Sequence, residues 1–266
     1  MLHPTTKKMD QFLLIIFLKV LLVSCNMNPD PLSEKAVHGT ITPANPYKQI
    51  KYIPLPEGYN RTVENTMSFA GYLRNIGLKE STTVHLFNRQ AKLNQKAQFA
   101  VLDISVGDRD LQQCADAVIR LRAEYMYAQK QFDKIVFFDY DNKAYPFQEP
   151  FNRENFNKYL NRVFGMCGSA SLAKQLKPVM HFSTIQPGDV IIRGGFPGHA
   201  VMVIDVAENA AGKKIYLLAQ SYMPAQDIHV LVNPMNADLS PWYAVNDDHF
   251  IETPEYRFTR NELMKW

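Results

Sequence analysis

Cysteine is scarce in this chain, with three residues in 266. That excludes a disulfide-dense scaffold and any cysteine-rich zinc module. Long apolar runs are scarcer. Residues 12–23 form the only one, and 12 residues fall short of the ~20 that a spanning helix needs. A dominant charge is missing too. The chain sets 29 Lys+Arg against 26 Asp+Glu, a net +3, with no basic block of five or more, so nucleic acid is not an expected partner. There is no Gly-x-Ser-x-Gly elbow, P-loop or dinucleotide fingerprint, and no cofactor is expected. His181, His229 and His249, even with Asp227 or Asp248, lack HxxxH or HExxH spacing, so no metal site is expected either. What remains is ordinary: 46% hydrophobic and 21% charged residues suit a globular chain of one domain.

The amino terminus reads as an address. Lys7 and Lys8 precede the apolar run, as in a secretory signal. Leu22-Val23-Ser24-Cys25 follows and resembles the bacterial lipobox. The resemblance implies cleavage before Cys25, lipidation of its thiol and a protein of the bacterial cell envelope. Its partner there would be the membrane, reached through acyl chains worth ~0.8 kcal/mol per buried CH₂. The expected organisation is a signal peptide over 1–24, a tether over 25–58 with six prolines, and one domain over 59–266. Loss of 1–24 would leave a net charge of +1, and lipidation of Cys25 would leave Cys114 and Cys167 as thiols. Outside the cytoplasm those two can in principle form a disulfide.

Apolar spacing predicts helices over 65–76, 110–131, 153–164 and 169–176, with Asp110 as the N-cap of the second. Strands are expected over 82–87, 98–106, 134–140, 189–193, 199–205, 214–220 and 228–232. Helices followed by closely spaced strands give an α+β class with antiparallel hairpins.

Chemistry concentrates late in the chain. The stretch Arg193-Gly194-Gly195-Phe196-Pro197-Gly198-His199 makes a tight turn and starts a strand with a histidine. Gln220 ends the next strand, where its side chain can set the His199 tautomer. Cys114 lies in the first turns of the long helix, whose N-terminus favours thiolate. A cysteine, then a strand-mouth histidine, then a polar residue one strand on is the order of papain-like enzymes. The run from Pro187-Gly188-Asp189-Val190 to Gly198-His199-Ala200-Val201-Met202-Val203-Ile204-Asp205 resembles the CHAP and NlpC-type cell-wall amidases. The resemblance implies a papain-like fold, Cys114 as nucleophile, His199 as base and Gln220 as orienting group. It also implies amide hydrolysis or acyl transfer on peptidoglycan peptides. Gln112-Gln113-Cys114-Ala115-Asp116, with the His199 and Gln220 stretches, also resembles an uncharacterised family of bacterial lipoproteins that carries no known activity.

Simpler readings stand beside these. Cys114 lies on an apolar helix stripe and can be a small buried hydrophobe. His199 can satisfy turn backbone, and Gln220 can be a satisfied polar residue at a strand end. Cys167 in Gly165-Met166-Cys167-Gly168-Ser169 is a second candidate nucleophile. A non-catalytic binding or structural envelope lipoprotein is the alternative to the enzyme.

Overall fold

The computed structural model describes residues 44–266. The signal segment, Cys25 and the first part of the tether lie outside the described residues. The rest of the expected tether is packed: a 3-10 turn at Ile50–Tyr52 leads Ile50 and Ile53 into the core. The Pro54 carbonyl there accepts a hydrogen bond from Trp242 Nε1 at 2.7 Å. The folded part thus begins before Tyr59, because two isoleucines outweigh the prolines around them.

In chain order the elements are β1 (Tyr59–Arg61), α1 (Phe69–Arg74), β2 (Gln98–Val101), α2 (Cys114–Ala128), β3 (Val136–Phe138), β4 (Ala144–Pro146), α3 (Arg153–Met166), α4 (Ser169–Gln175), β5 (Lys177–Pro178), β6 (Val190–Arg193), β7 (His199–Asn209), β8 (Lys214–Gln220), β9 (His229–Leu231), β10 (Tyr243–Ala244), β11 (Phe250–Glu252), β12 (Arg257–Thr259) and β13 (Leu263–Lys265). One sheet dominates, with the order β2-β9-β8-β7-β6-β13-β5 and with β1 on β7 and β10 on β8. Its pairings are antiparallel. Two small hairpins, β3-β4 and β11-β12, stand apart from it.

Strand β7 is the centre. Its residues from His199 to Ala207 are all buried, so both faces of the sheet are covered. Side chains alternate between the faces. Ala200, Met202 and Ile204 join the cluster that holds Cys114, Val118 and Leu121 of α2. Val201, Val203 and Val206 join the other, with Phe258 and Tyr216.

Some expected elements are shorter. Ser68 caps α1 through its Oγ, which accepts from Gly71 N at 3.1 Å, so the helix starts at Phe69 rather than near 65. Residues 82–87 form no strand. The Gln95 side chain bonds both backbone groups of Val84 and replaces a ladder partner there. The strand from 98 stops at Val101, where its pairing with β9 ends. Asp110 is not an N-cap; its carboxylate accepts from Ala225 N at 2.6 Å.

Candidate active site

Cys114 is the first residue of α2. The Asp116 carboxylate accepts from the Gln113 N–H at 3.0 Å and closes the helix start. The adjoining turn is tied to the end of β8: Ser221 Oγ lies 2.8 Å from the Gln112 carbonyl. The thiol therefore sits where β8 leaves the sheet. The backbone N–H groups of Ala200 and Ala115 are directed at its sulfur. Burial pushes the thiol pKa up, and these donors work against that rise.

His199 opens β7 opposite Arg193. The preceding turn leaves no room for a side chain at Gly198, where a Cβ would lie 2.5 Å from Ser169 Oγ and 2.8 Å from the Arg193 carbonyl oxygen. The ring is not open to a cleft, as a strand-mouth position would suggest, but 2% exposed. It lies among Tyr222, Tyr256 and Phe258, with centroids at 4.8, 4.9 and 5.7 Å. This burial, before any other effect, pulls its pKa down to about 4. At neutral pH the resting site holds a neutral imidazole.

Gln220 meets His199 as the residue order suggests. Its Oε1 lies 2.8 Å from His199 Nε2. The Cys114 sulfur approaches the backbone of the next residue, Ala200. No hydrogen bond joins thiol to imidazole among the described residues, and the pleat of β7 puts the ring on the face away from α2. Tyr222 links the two places: its ring packs on His199, and Cys114 contributes to the rise of its phenol pKa.

Several partners carry no sequence signal. Glu255, in the β11-β12 turn, accepts from Gln220 Nε2 at 2.7 Å and from Lys92 Nζ at 2.6 Å. His229 Nε2 is 3.4 Å from Gln220 Nε2, and its Nδ1 is 2.9 Å from the Asp227 carbonyl. The His229 ring is fully buried, which drives its pKa down to about 3. No motif could have announced Glu255, which sits 35 residues beyond Gln220. His229, weighed in sequence only as a metal ligand, lies across the ladder from Gln220. Among the described residues no group of three or more His, Cys, Asp or Glu can hold a metal ion.

Cys167 differs. It follows α3 and is 2% exposed. Burial, then Asp139 and Asp116, push its pKa up to about 12. Cys114 and Cys167 are both free thiols, so the disulfide considered from the sequence does not form. Among the described residues no helix is long and apolar enough to cross a membrane.

The chain is thus a mixed α and β protein, mainly an antiparallel sheet with few helices, with a buried His199–Gln220 pair at one end of the central strand and a buried Cys114 at the start of α2. It belongs to the family described as Domain of unknown function (4846), whose model matches residues 50–149 and 140–265. No curated protein and no solved structure matches it.

Proposed function

We propose that the protein is a lipid-anchored cysteine amidase or acyl transferase of papain-like, CHAP/NlpC-type design, acting on cell-wall peptides. One observation carries the reading. His199 has Nε2 engaged by Gln220 at 2.8 Å while Nδ1 has no hydrogen-bond partner among the described residues, and the backbone N–H of the next residue, Ala200, lies near enough to the Cys114 thiol to favour its anion.

In this reading His199 takes the Cys114 proton as general base. The sulfur then attacks the amide carbonyl and forms a thioester, and the protonated ring gives its proton to the leaving amine. Water or a second amine resolves the thioester. Because the base is neutral and the thiol buried, the proton moves only when substrate enters. Entry requires the rings over His199 to shift, Tyr222 and Tyr256 being the partly exposed ones.

The test is release of new amines from purified peptidoglycan peptides, followed by mass spectrometry. Wild type should release them, Cys167→Ser should do so equally, and Cys114→Ala and His199→Asn should lose about 10³-fold or more. Release that survives in folded Cys114→Ala overturns the reading. The anchor is tested separately: wild type should carry acyl mass on Cys25, and Cys25→Ser should lose it and leave the membrane fraction. A mature chain that begins elsewhere and carries no acyl mass removes this part.

A second reading has its own support. Cys114 and the strand face bearing His199 belong to apolar clusters on opposite sides of the sheet. A binding or structural envelope protein would use both groups as packing. It requires that His199→Asn leave Cys114 reactivity unchanged.

A further inference from the structure

We propose that Glu255 and His229 are positioning residues that lock the Gln220 amide and thereby hold His199 as the tautomer with its hydrogen on Nε2. The inference rests on the reading of Cys114 and His199 as a pair, and goes beyond it by assigning what sets the base.

A primary amide is nearly symmetric in shape, so its orientation follows from its partners. The Glu255 carboxylate has only acceptors to offer, and its Oε2 stands 2.7 Å from one end of the Gln220 amide. That end must be the NH₂ group. His229 gives the same answer independently. The Asp227 carbonyl 2.9 Å from its Nδ1 can only accept, so Nδ1 carries the hydrogen and Nε2 a lone pair. That lone pair faces the same Gln220 nitrogen at 3.4 Å. Turned over, the amide would set its oxygen against a carboxylate and an imidazole lone pair. Both amide hydrogens are thus claimed, and the oxygen is left for His199.

The chain of assignments then closes. Gln220 Oε1 accepts, so His199 Nε2 donates across the 2.8 Å contact. In a neutral ring the lone pair falls on Nδ1, the nitrogen without a hydrogen-bond partner among the described residues. Lys92 completes the device. It is 8% exposed and its ammonium is 2.6 Å from Glu255 Oε2, which keeps Glu255 an acceptor within a largely buried site. Asn94 Nδ2 adds a donor to Glu255 Oε1 at 3.1 Å. The loop before β2 and the β11-β12 turn therefore meet at the carboxylate that orients the amide.

The test reverses the ion pair in the full chain. Lys92→Glu together with Glu255→Lys keeps one charge of each sign but presents a donor to Gln220 where an acceptor stood. Lys92→Met with Glu255→Leu removes the pair without stranding a charge, and serves if the reversed pair does not fold. Near-UV circular dichroism checks the fold of each. The readout is the His199 tautomer, taken from long-range ¹H–¹⁵N correlation near neutral pH, beside the alkylation rate of Cys114. Wild type should show hydrogen on Nε2. The reversed pair should move it to Nδ1, and the apolar pair should give a mixture. Cys114 alkylation should fall furthest in the reversed pair, by about tenfold, the scale on which outer hydrogen-bond partners act, and less in the apolar pair. A wild-type ring with hydrogen on Nδ1, or an unchanged tautomer in both folded variants, overturns the inference. The outcome is separable from the pair itself. If His199→Asn slows alkylation while these variants leave the tautomer alone, the pair stands and the lock falls. If the tautomer shifts but alkylation ignores His199, the lock stands and the pair falls.

Discussion

Strand β7 carries two buried polar clusters, one at each end of its central stretch. Asp205 is fully buried and accepts from Arg61 Nε and Arg74 Nε at 2.6 Å each, with Val206 N at 2.9 Å on Oδ1. The arginines spend their other nitrogens on carbonyls, Arg61 on that of Ile53 at 2.7 Å and Arg74 on that of Thr62 at 2.6 Å. That cluster is closed: it ties β1 and α1 to the strand and leaves nothing to do chemistry. The His199 cluster is as well buried and as well connected through Gln220, Glu255 and Lys92, yet one ring nitrogen has no hydrogen-bond partner among the described residues. The difference separates a structural network from a candidate site more clearly than burial or charge does.

The strongest way to break the comparison is at the closed end. Asp205→Ala should cost about 3–5 kcal/mol, because it strands two guanidinium groups in the interior. Urea unfolding measures this. A loss under ~1 kcal/mol would show that the closed cluster does not hold the strand.

At the open end the expected effect depends on pH. The folded His199 ring titrates at about 4, below its ordinary 6.5. Its contribution to stability is complete above 6.5 and is lost as pH falls toward 4, since the unfolded chain takes up the proton first. The advantage of wild type over His199→Asn should therefore shrink by up to about 3 kcal/mol across that window. Asp189, raised to about 6 by burial, acts in the opposite sense and is present in both proteins, so the difference isolates the histidine. A difference independent of pH would show that the ring is not held neutral.

Two smaller effects sharpen the site's frame. Gly198→Ala should cost about 1–3 kcal/mol by forcing the 193–198 turn off Ser169. Ser221→Ala should cost about 1 kcal/mol by removing the hydroxyl shared between the Gln112 and Gln226 carbonyls at 2.8 and 2.9 Å. Thermal unfolding of each variant is sufficient, and an unchanged midpoint would contradict either.

Much of this architecture was legible in the chain. Strands β6 to β9 follow apolar runs rich in β-branched residues, and glycine marks the β6-β7 and β7-β8 turns, so their bounds lie within a few residues of the pattern. Cys114, His199 and Gln220 were readable because helix start, strand start and strand end are local features. The faces were not. Cys114 and His199 look like neighbours in order of elements, but the pleat of β7 assigns Ala200, not His199, to the α2 side, and only the packed sheet reveals it. Glu255 was invisible because a turn glutamate gains meaning only from the Gln220 and Lys92 it meets. The segment 82–87 misled because its β-branched residues have no strand beside them.

The central claim is that Cys114 reacts through His199, and alkylation resolved by site tests it most directly. Wild type and His199→Asn are treated with iodoacetamide near neutral pH, and each cysteine is followed by mass spectrometry. Cys167, pushed up to about 12, serves as the internal control. Cys114 should label at least about tenfold faster than Cys167 and lose that advantage in His199→Asn, while Cys167 stays unchanged. Equal Cys114 rates in the two proteins would contradict the pairing.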